Sequence, residues 1–220
     1  LINNKKDKII IPKGLQPRAA LAYSFIPISK FLKELGILKF EFNIWLNNFL
    51  KNIINFQKIY SLEGYKNPTY LLANNIYNKI PIIYADNSTL SVVAARIKGQ
   101  LAENSKMLAY QNDFPEFNHN EIVGWENNIN ILNNFVIIWL KDTKDHNRVK
   151  QRQKVSRKIL EEIGIKQFSV EVEGISFEER FLHMIHFGDW LSYWCAILHN
   201  TDPTPVDKID RLKDNLKNID

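Results

Sequence analysis

A single cysteine, Cys195, among 220 residues excludes an internal disulfide. No zinc-type spacing surrounds it, so the chain reads as a protein of a reducing compartment, with the cytoplasm as its expected location. Its setting in LSYWCAIL, between apolar side chains, marks a core thiol rather than a nucleophile. Long apolar runs are missing as well. Nothing approaches the roughly 18 uninterrupted residues of a membrane span. LINNKKDKIIIP at the start has charges too early and an apolar run too short for a signal peptide, so no membrane partner is expected. Neither a GxxxxGKS/T loop nor a GxGxxG follows any candidate strand, which removes the common nucleotide-binding signatures. There is no internal repeat, no low-complexity linker and no clear domain boundary.

What is present is the apolar content of one ordinary globular domain, with 45% hydrophobic and 24% charged residues, enough to bury a real core. The net charge of +5 and pI near 9.1 fit an anionic partner. The cations are scattered among acids, however, and nucleic acid needs them clustered on one face. The basic stretch around Arg148, Arg152, Lys154, Arg157 and Lys158 accordingly reads as a solvated helix face. No nucleic-acid partner is expected, and a phosphorylated small molecule suits the same charge balance.

Four short apolar runs bounded by breakers read as buried strands: KIIIP at 8–12, KIPIIYAD at 79–86, NNFVIIWLKD at 133–142 and KQFSVEVEG at 166–174. The first three lack polar alternation, as in a parallel sheet covered on both faces, whereas the last alternates and belongs at an edge. Helical patterns separate them. Residues 88–110 carry Ser88 and Thr89 as cap candidates and an apolar stripe through Val92, Val93, Ala95, Ile97, Leu101 and Leu108. Residues 147–163 form a basic helix ending at Gly164, and 176–200 open with Ser176 and Glu179 at capping-box spacing. Residues 28–60, long, apolar and amphipathic, read as one more core-covering helix, with a helical pair that packs on a partner or covers a cleft as the alternative. The expected class is α/β, a three-layer sandwich with a mostly parallel sheet of four to five strands.

Histidines supply the first chemical candidates. His183 and His186 share a helix face, but FLHMIHF lacks the HExxH arrangement and further ligands, so they read as imidazoles packed beside Phe187 and Trp190 rather than as a metal site. DNSTLS at 86–91 joins a strand to a helix, where backbone N–H groups and the hydroxyls of Ser88 and Thr89 favour an anion, with ordinary helix capping as the alternative. Glu103, in QLAENSKM, falls on the polar side of its helix near the C-terminal end, where the helix dipole opposes a negative charge, a setting suited to a general base. His119 stands in DFPEFNHNEIVGW, where Asn118, His119, Asn120 and Glu121 interrupt an otherwise apolar run, at the expected start of a helix.

Five phrases, QPRAALAYSF, ARIKGQLAENSK, FPEFNHNEIVGW, FGDWLSYWCA and TDPTPVDKIDRLKDNL, resemble, in order, the C-terminal half of the bifunctional phosphoglucose/phosphomannose isomerases of the sugar isomerase (SIS) superfamily. The resemblance implies a flavodoxin-like SIS domain over 1–220, with a helical insertion at about 28–78 and without the family's N-terminal SIS subdomain. It also implies that Glu103 is the catalytic base, that His119 opens the sugar ring in a neighbouring subunit's site, and that Arg18 faces the enediolate oxygens. Lys213 assists at the ring oxygen, with Lys208 one turn away as the other candidate. Val206 stands where the family often carries threonine or glutamine, so the choice between glucose and mannose phosphate stays open.

These residue types suit the chemistry. Moving one proton between C1 and C2 through a cis-enediol needs one ionised carboxylate, a fixed guanidinium for the developing oxyanion and a near-neutral proton shuttle for ring opening. No metal, nicotinamide or flavin is required. The implied partners are a sugar phosphate, a second copy of the chain and the N-terminal SIS subdomain of the same polypeptide, whose Ser/Thr loops hold the phosphate. The other class of function is a SIS-type sugar-phosphate binding or regulatory module that has lost the chemistry.

Overall fold

The computed structural model describes residues 9–217. The chain forms two compact units, Leu1–Asn52 and Ile53–Asp220.

In the first unit, residues 9–12 form no strand, which corrects the expectation for KIIIP at 8–12; Lys8 lies outside the described residues. Ile9, Ile10 and Ile11 are exposed, Ile10 to 91%. Pro17–Ala19 make a single 3-10 turn that carries Arg18 and leads into α1, Leu21–Glu34. Gly36 follows it at a φ of +74°, in the left-handed region that glycine adopts without penalty. α2, Phe42–Tyr60, makes the stretch over 28–60 two helices rather than one core-covering helix, and the boundary between the units falls within it.

The second unit is an α/β sandwich. Asn67 caps α3, Pro68–Ile76: its carbonyl accepts from the N–H groups of Thr69 and Tyr70, while its amide donates to the carbonyls of Tyr60 and Leu62. The elements then alternate: β1 Ile80–Asp86, α4 Ser91–Asn104, β2 Tyr110–Phe114, the one-turn helices α5 Glu116–His119 and α6 Ile129–Leu132 separated by a 3-10 segment at Glu121–Trp125, and β3 Phe135–Lys141. After these come α7 Asn147–Glu162, β4 Gln167–Glu171, α8 Phe177–Leu198 and α9 Asp207–Leu216. The four strands are parallel in the order β2-β1-β3-β4. β4 lies at an edge, as its alternation predicts.

The helix expected over 88–110 ends at Asn104; residues 105–109 form a loop, and β2 starts at Tyr110. Only Phe114 of its five residues is buried, so YQNDF lacks the apolar run that reveals β1 and β3. Leu108 and Val92, placed in the apolar stripe, are exposed, and Val93, Ala94, Ile97 and Leu101 make the buried one.

α4 packs against α8, and Gly188 sets their approach: a Cβ there would meet Ile97 Cγ1 at 2.3 Å. A separate cluster of Tyr84, Phe114, Phe117, Trp125, Ile137, Trp139, Leu160 and Ile165 joins the strands to α5, the 3-10 segment and α7. Ser176 accepts from the Glu179 N–H, and the Glu179 carboxylate reaches back to the Ile175 N–H, so α8 begins with the expected cap. Behind it lies a buried ion pair: Arg180 grips Asp142 through Nε and Nη2 at 2.8 and 2.9 Å, and its Nη1 donates to the carbonyls of Gly174 and Ile175.

Candidate active site

Because β1 and β2 are parallel, α4 carries the chain from the edge where strands end back to the edge where they begin. Glu103, in its last turn, therefore sits at the starting edge, partly exposed. α8 makes the same return and ends at Leu198, close to that edge. The two helices are tied by polar contacts. Asp189 accepts from Arg96 Nη2 at 2.9 Å and from Gln100 Nε2 at 2.6 Å; Asn104 donates to Ser192 Oγ at 2.9 Å, and Ser105 to the Ser192 carbonyl at 2.6 Å. Burial raises Asp189 above the ordinary carboxylate range even with Arg96 and Gln100 beside it.

Lys106, read from the sequence as helical, lies beyond α4 at a φ of +56°. Its ammonium donates to the carbonyl of Glu103 at 2.8 Å and to that of Asp202 at 3.0 Å. It thus fastens the end of α4 to the loop leading into α9, the helix that carries Lys208 and Lys213. Both lysines are exposed. No local pattern signals this link, since it joins residues 96 apart.

His119 is elsewhere. It ends α5 rather than beginning a helix, just past the finishing end of β2, so within one chain it and Glu103 lie at opposite edges of the sheet. The length of α4, about 20 Å at 1.5 Å per residue, separates those edges. The polar run around it divides sharply by role. Asn118 donates to Ser156 Oγ at 2.6 Å, Asn120 caps the Glu121 N–H at 2.5 Å and donates to Glu116, and Glu121 accepts from Tyr84 and Asn112. His119 is exposed, beside a depression of about 290 Å³ lined by Pro115, Glu116, Asn118, His119 and Arg152.

Arg18 belongs to the first unit, half-buried on its 3-10 turn. Ser88 and Thr89 follow β1 at the finishing edge, and their hydroxyls face acids. Asp86 accepts from the Ser88 N–H and from both hydroxyls, and Thr89 also reaches Asp145 at 3.4 Å. Burial, with Asp142 and Asp86 nearby, raises Asp145 above the usual carboxylate range. A phosphate there would meet two carboxylates. The N-cap position of α4 falls on Leu90, so neither hydroxyl caps it.

The remaining candidates are occupied structurally. His183 Nδ1 lies 2.8 Å from the Glu173 carbonyl, which can only accept, so Nδ1 carries the proton and Nε2 accepts from Tyr60 O–H at 2.8 Å. The Phe56 ring stacks on the His183 imidazole with centroids 3.7 Å apart. Cys195 is buried, which pushes its thiol up to about 12. Among the described residues no cluster of three His, Cys, Asp or Glu is arranged to hold a metal ion, and no helix is long and apolar enough to cross a membrane.

A profile described as the bacterial phospho-glucose isomerase C-terminal SIS domain matches residues 65–216. The bifunctional phosphoglucose/phosphomannose isomerase of Caldicellulosiruptor bescii is 40% identical over 97% of this chain, and that of Aquifex aeolicus 40% identical over 94%. The chain spans only 63% and 60% of those proteins' lengths. A glucose-6-phosphate isomerase like protein from Thermus thermophilus shares the fold, with a TM-score of 0.64 and 16% identity over 85% of this chain and 59% of its own.

Proposed function

Since the chain belongs to the family of bacterial phospho-glucose isomerase C-terminal SIS domains, we propose that it supplies the proton-transfer half of an aldose–ketose isomerase. The reaction interconverts glucose 6-phosphate and fructose 6-phosphate through a cis-enediol, and mannose 6-phosphate is the second aldose to be assayed. The observation that carries the reading is the 40% identity to bifunctional phosphoglucose/phosphomannose isomerases along nearly the whole chain, together with a partly exposed Glu103 beside the loop before α9.

In this reading Glu103 takes the proton from C2 of the open-chain aldose and returns it to C1. Arg18 stabilises the enediolate oxygens, where charge is greater in the transition state than in the substrate. Lys213 and His119 act on the ring oxygen and its proton. The step is a proton shift with no net oxidation of the molecule, so it draws on no metal, nicotinamide or flavin. The phosphate is assigned to an N-terminal SIS subdomain of the same polypeptide, in keeping with the fraction of the relatives' length that this chain spans. The opposite-edge positions of Glu103 and His119 support a homodimer in which each copy lends its imidazole to the other's site.

Glu103→Gln in the longer polypeptide tests the base. The amide is nearly isosteric, so turnover should fall about 10²- to 10⁴-fold, the usual range for a general base, while sugar-phosphate affinity is kept. Unchanged turnover would reject Glu103 as the base, whereas a longer polypeptide that binds sugar phosphate without turning it over, and binds it equally well after Glu103→Gln, would be the non-catalytic binding module. The 220 residues alone should show negligible turnover of glucose 6-phosphate, and activity comparable to that of the longer protein would contradict the division of labour between the two halves.

A further inference from the structure

The turn that carries His119 is held by one side chain in particular. Glu121, two residues on, sends its carboxylate to the sheet and splits it between two strands: Oε1 accepts from the hydroxyl of Tyr84 on β1, and Oε2 accepts from the amide of Asn112 on β2 at 2.5 Å. Tyr84 and Asn112 are direct register partners in the parallel ladder, so the fork closes over a fixed pair of donors on one face. Trp125, at the end of the same segment, donates its indole N–H to the Tyr84 oxygen at 3.3 Å. The Tyr84 hydroxyl is thereby used as donor and acceptor at once, and its ring is fully buried against Phe117 and Trp139. Burial, reinforced by Glu121, raises the Tyr84 phenol well above its ordinary range, so it remains a donor.

Residues 116–120 have other fastenings, but none is equivalent. Phe117 is a buried apolar anchor that fixes depth, and Asn118 reaches Ser156 on α7. Asn120 bonds only within the turn itself, to Glu116 and the Glu121 N–H. Glu121 ties this turn to Tyr84 inside β1 and Asn112 inside β2, and two bonds from one planar group fix rotation as well as position.

We propose that Glu121 is a positioning residue for His119, with the Tyr84–Asn112 pair as the frame against which the imidazole is aimed; this rests on the reading of His119 as a group acting on the sugar ring. An exposed imidazole on a one-turn helix has little else to orient it. Misplacing a catalytic group by about 1 Å can cost on the order of a hundredfold in rate.

The experiment is a double-mutant cycle between residues 121 and 119 in the longer polypeptide, assayed for kcat and KM on glucose 6-phosphate, with thermal unfolding as the check on folding. Glu121→Gln keeps the shape but offers one acceptor to two donors, so one bond of the fork is lost. Turnover should fall about tenfold or more, with KM changed less than about twofold, because the defect is one of aim. In the His119→Ala background the same substitution should cost nothing further. Tyr84→Phe removes one bond without changing the ring and should show the same pattern if Glu121→Gln fails to fold. Losses that repeat in full when His119 is already gone, or folded variants with unchanged kcat, would overturn the proposal. A His119→Ala enzyme with undiminished turnover would instead bring down the role of the imidazole itself.

Discussion

His186 shows how an imidazole on the same helix as His183 comes to serve the fold. Its Nε2 is buried without a hydrogen-bond partner among the described residues, and its ring lies edge-on to Trp190. Burial, and to a lesser degree the neighbouring His183, lowers its pKa from 6.5 to about 4. The unfolded chain therefore binds a proton between those values that the folded chain refuses. Stability is full above about pH 6.5 and is lost as pH falls toward about 4. The denaturation midpoint should drop between about pH 7 and about pH 5, and His186→Leu should flatten the dependence; an identical slope in the variant would place the titrating group elsewhere. The packing of His183 and His186 is readable from FLHMIHF, since two imidazoles among aromatic residues have an apolar environment. The division of labour in Asn118–Glu121 is not, because the partners Tyr84, Asn112 and Ser156 lie 9 to 38 residues away.

Elements declare themselves in proportion to how they bury. β1 and β3 are covered on both faces and spell unbroken apolar runs, whereas β2 at the edge buries only Phe114 and reads as loop or helix end. Residues 9–12 show the reverse, a strand-like composition that forms no strand. The cap at Ser176 is legible because capping is local; the ion pair behind it, across 38 residues, is not. Both members of that pair are almost fully buried, at 4% and 2% exposure. Arg180→Ala leaves the Asp142 charge without its partner and should cost about 3–5 kcal/mol in denaturant unfolding; a loss below about 1 kcal/mol would mean that water takes the place of the guanidinium. At the α4–α8 contact, Gly188→Ala drives a methyl into Ile97 and should cost about 1–3 kcal/mol. In an Ile97→Ala background, which lacks the clashing Cγ1, Gly188→Ala should cost less, and a neutral Gly188→Ala in the native background would show that the helices separate freely.

At the scale of the molecule, the parallel sheet is what divides the candidate site. Every return helix brings its C-terminal turn to the edge where strands begin, so Glu103, Lys106 and the loop before α9 share that edge, while His119 stays where strands finish. The residue types for the chemistry are legible in the five ordered phrases, but their placement requires the topology. In the proposed reading, a catalytic centre using both Glu103 and His119 draws them from two chains. Its most direct test is to mix two variants of the longer polypeptide with strongly reduced turnover, Glu103→Gln and His119→Ala, and allow subunits to exchange. Half of the dimers are then mixed and each holds one site with both groups intact, so about a quarter of wild-type activity should return. A mixture whose turnover stays at that of the variants after exchange has been verified would place both groups in one chain's site and contradict the account.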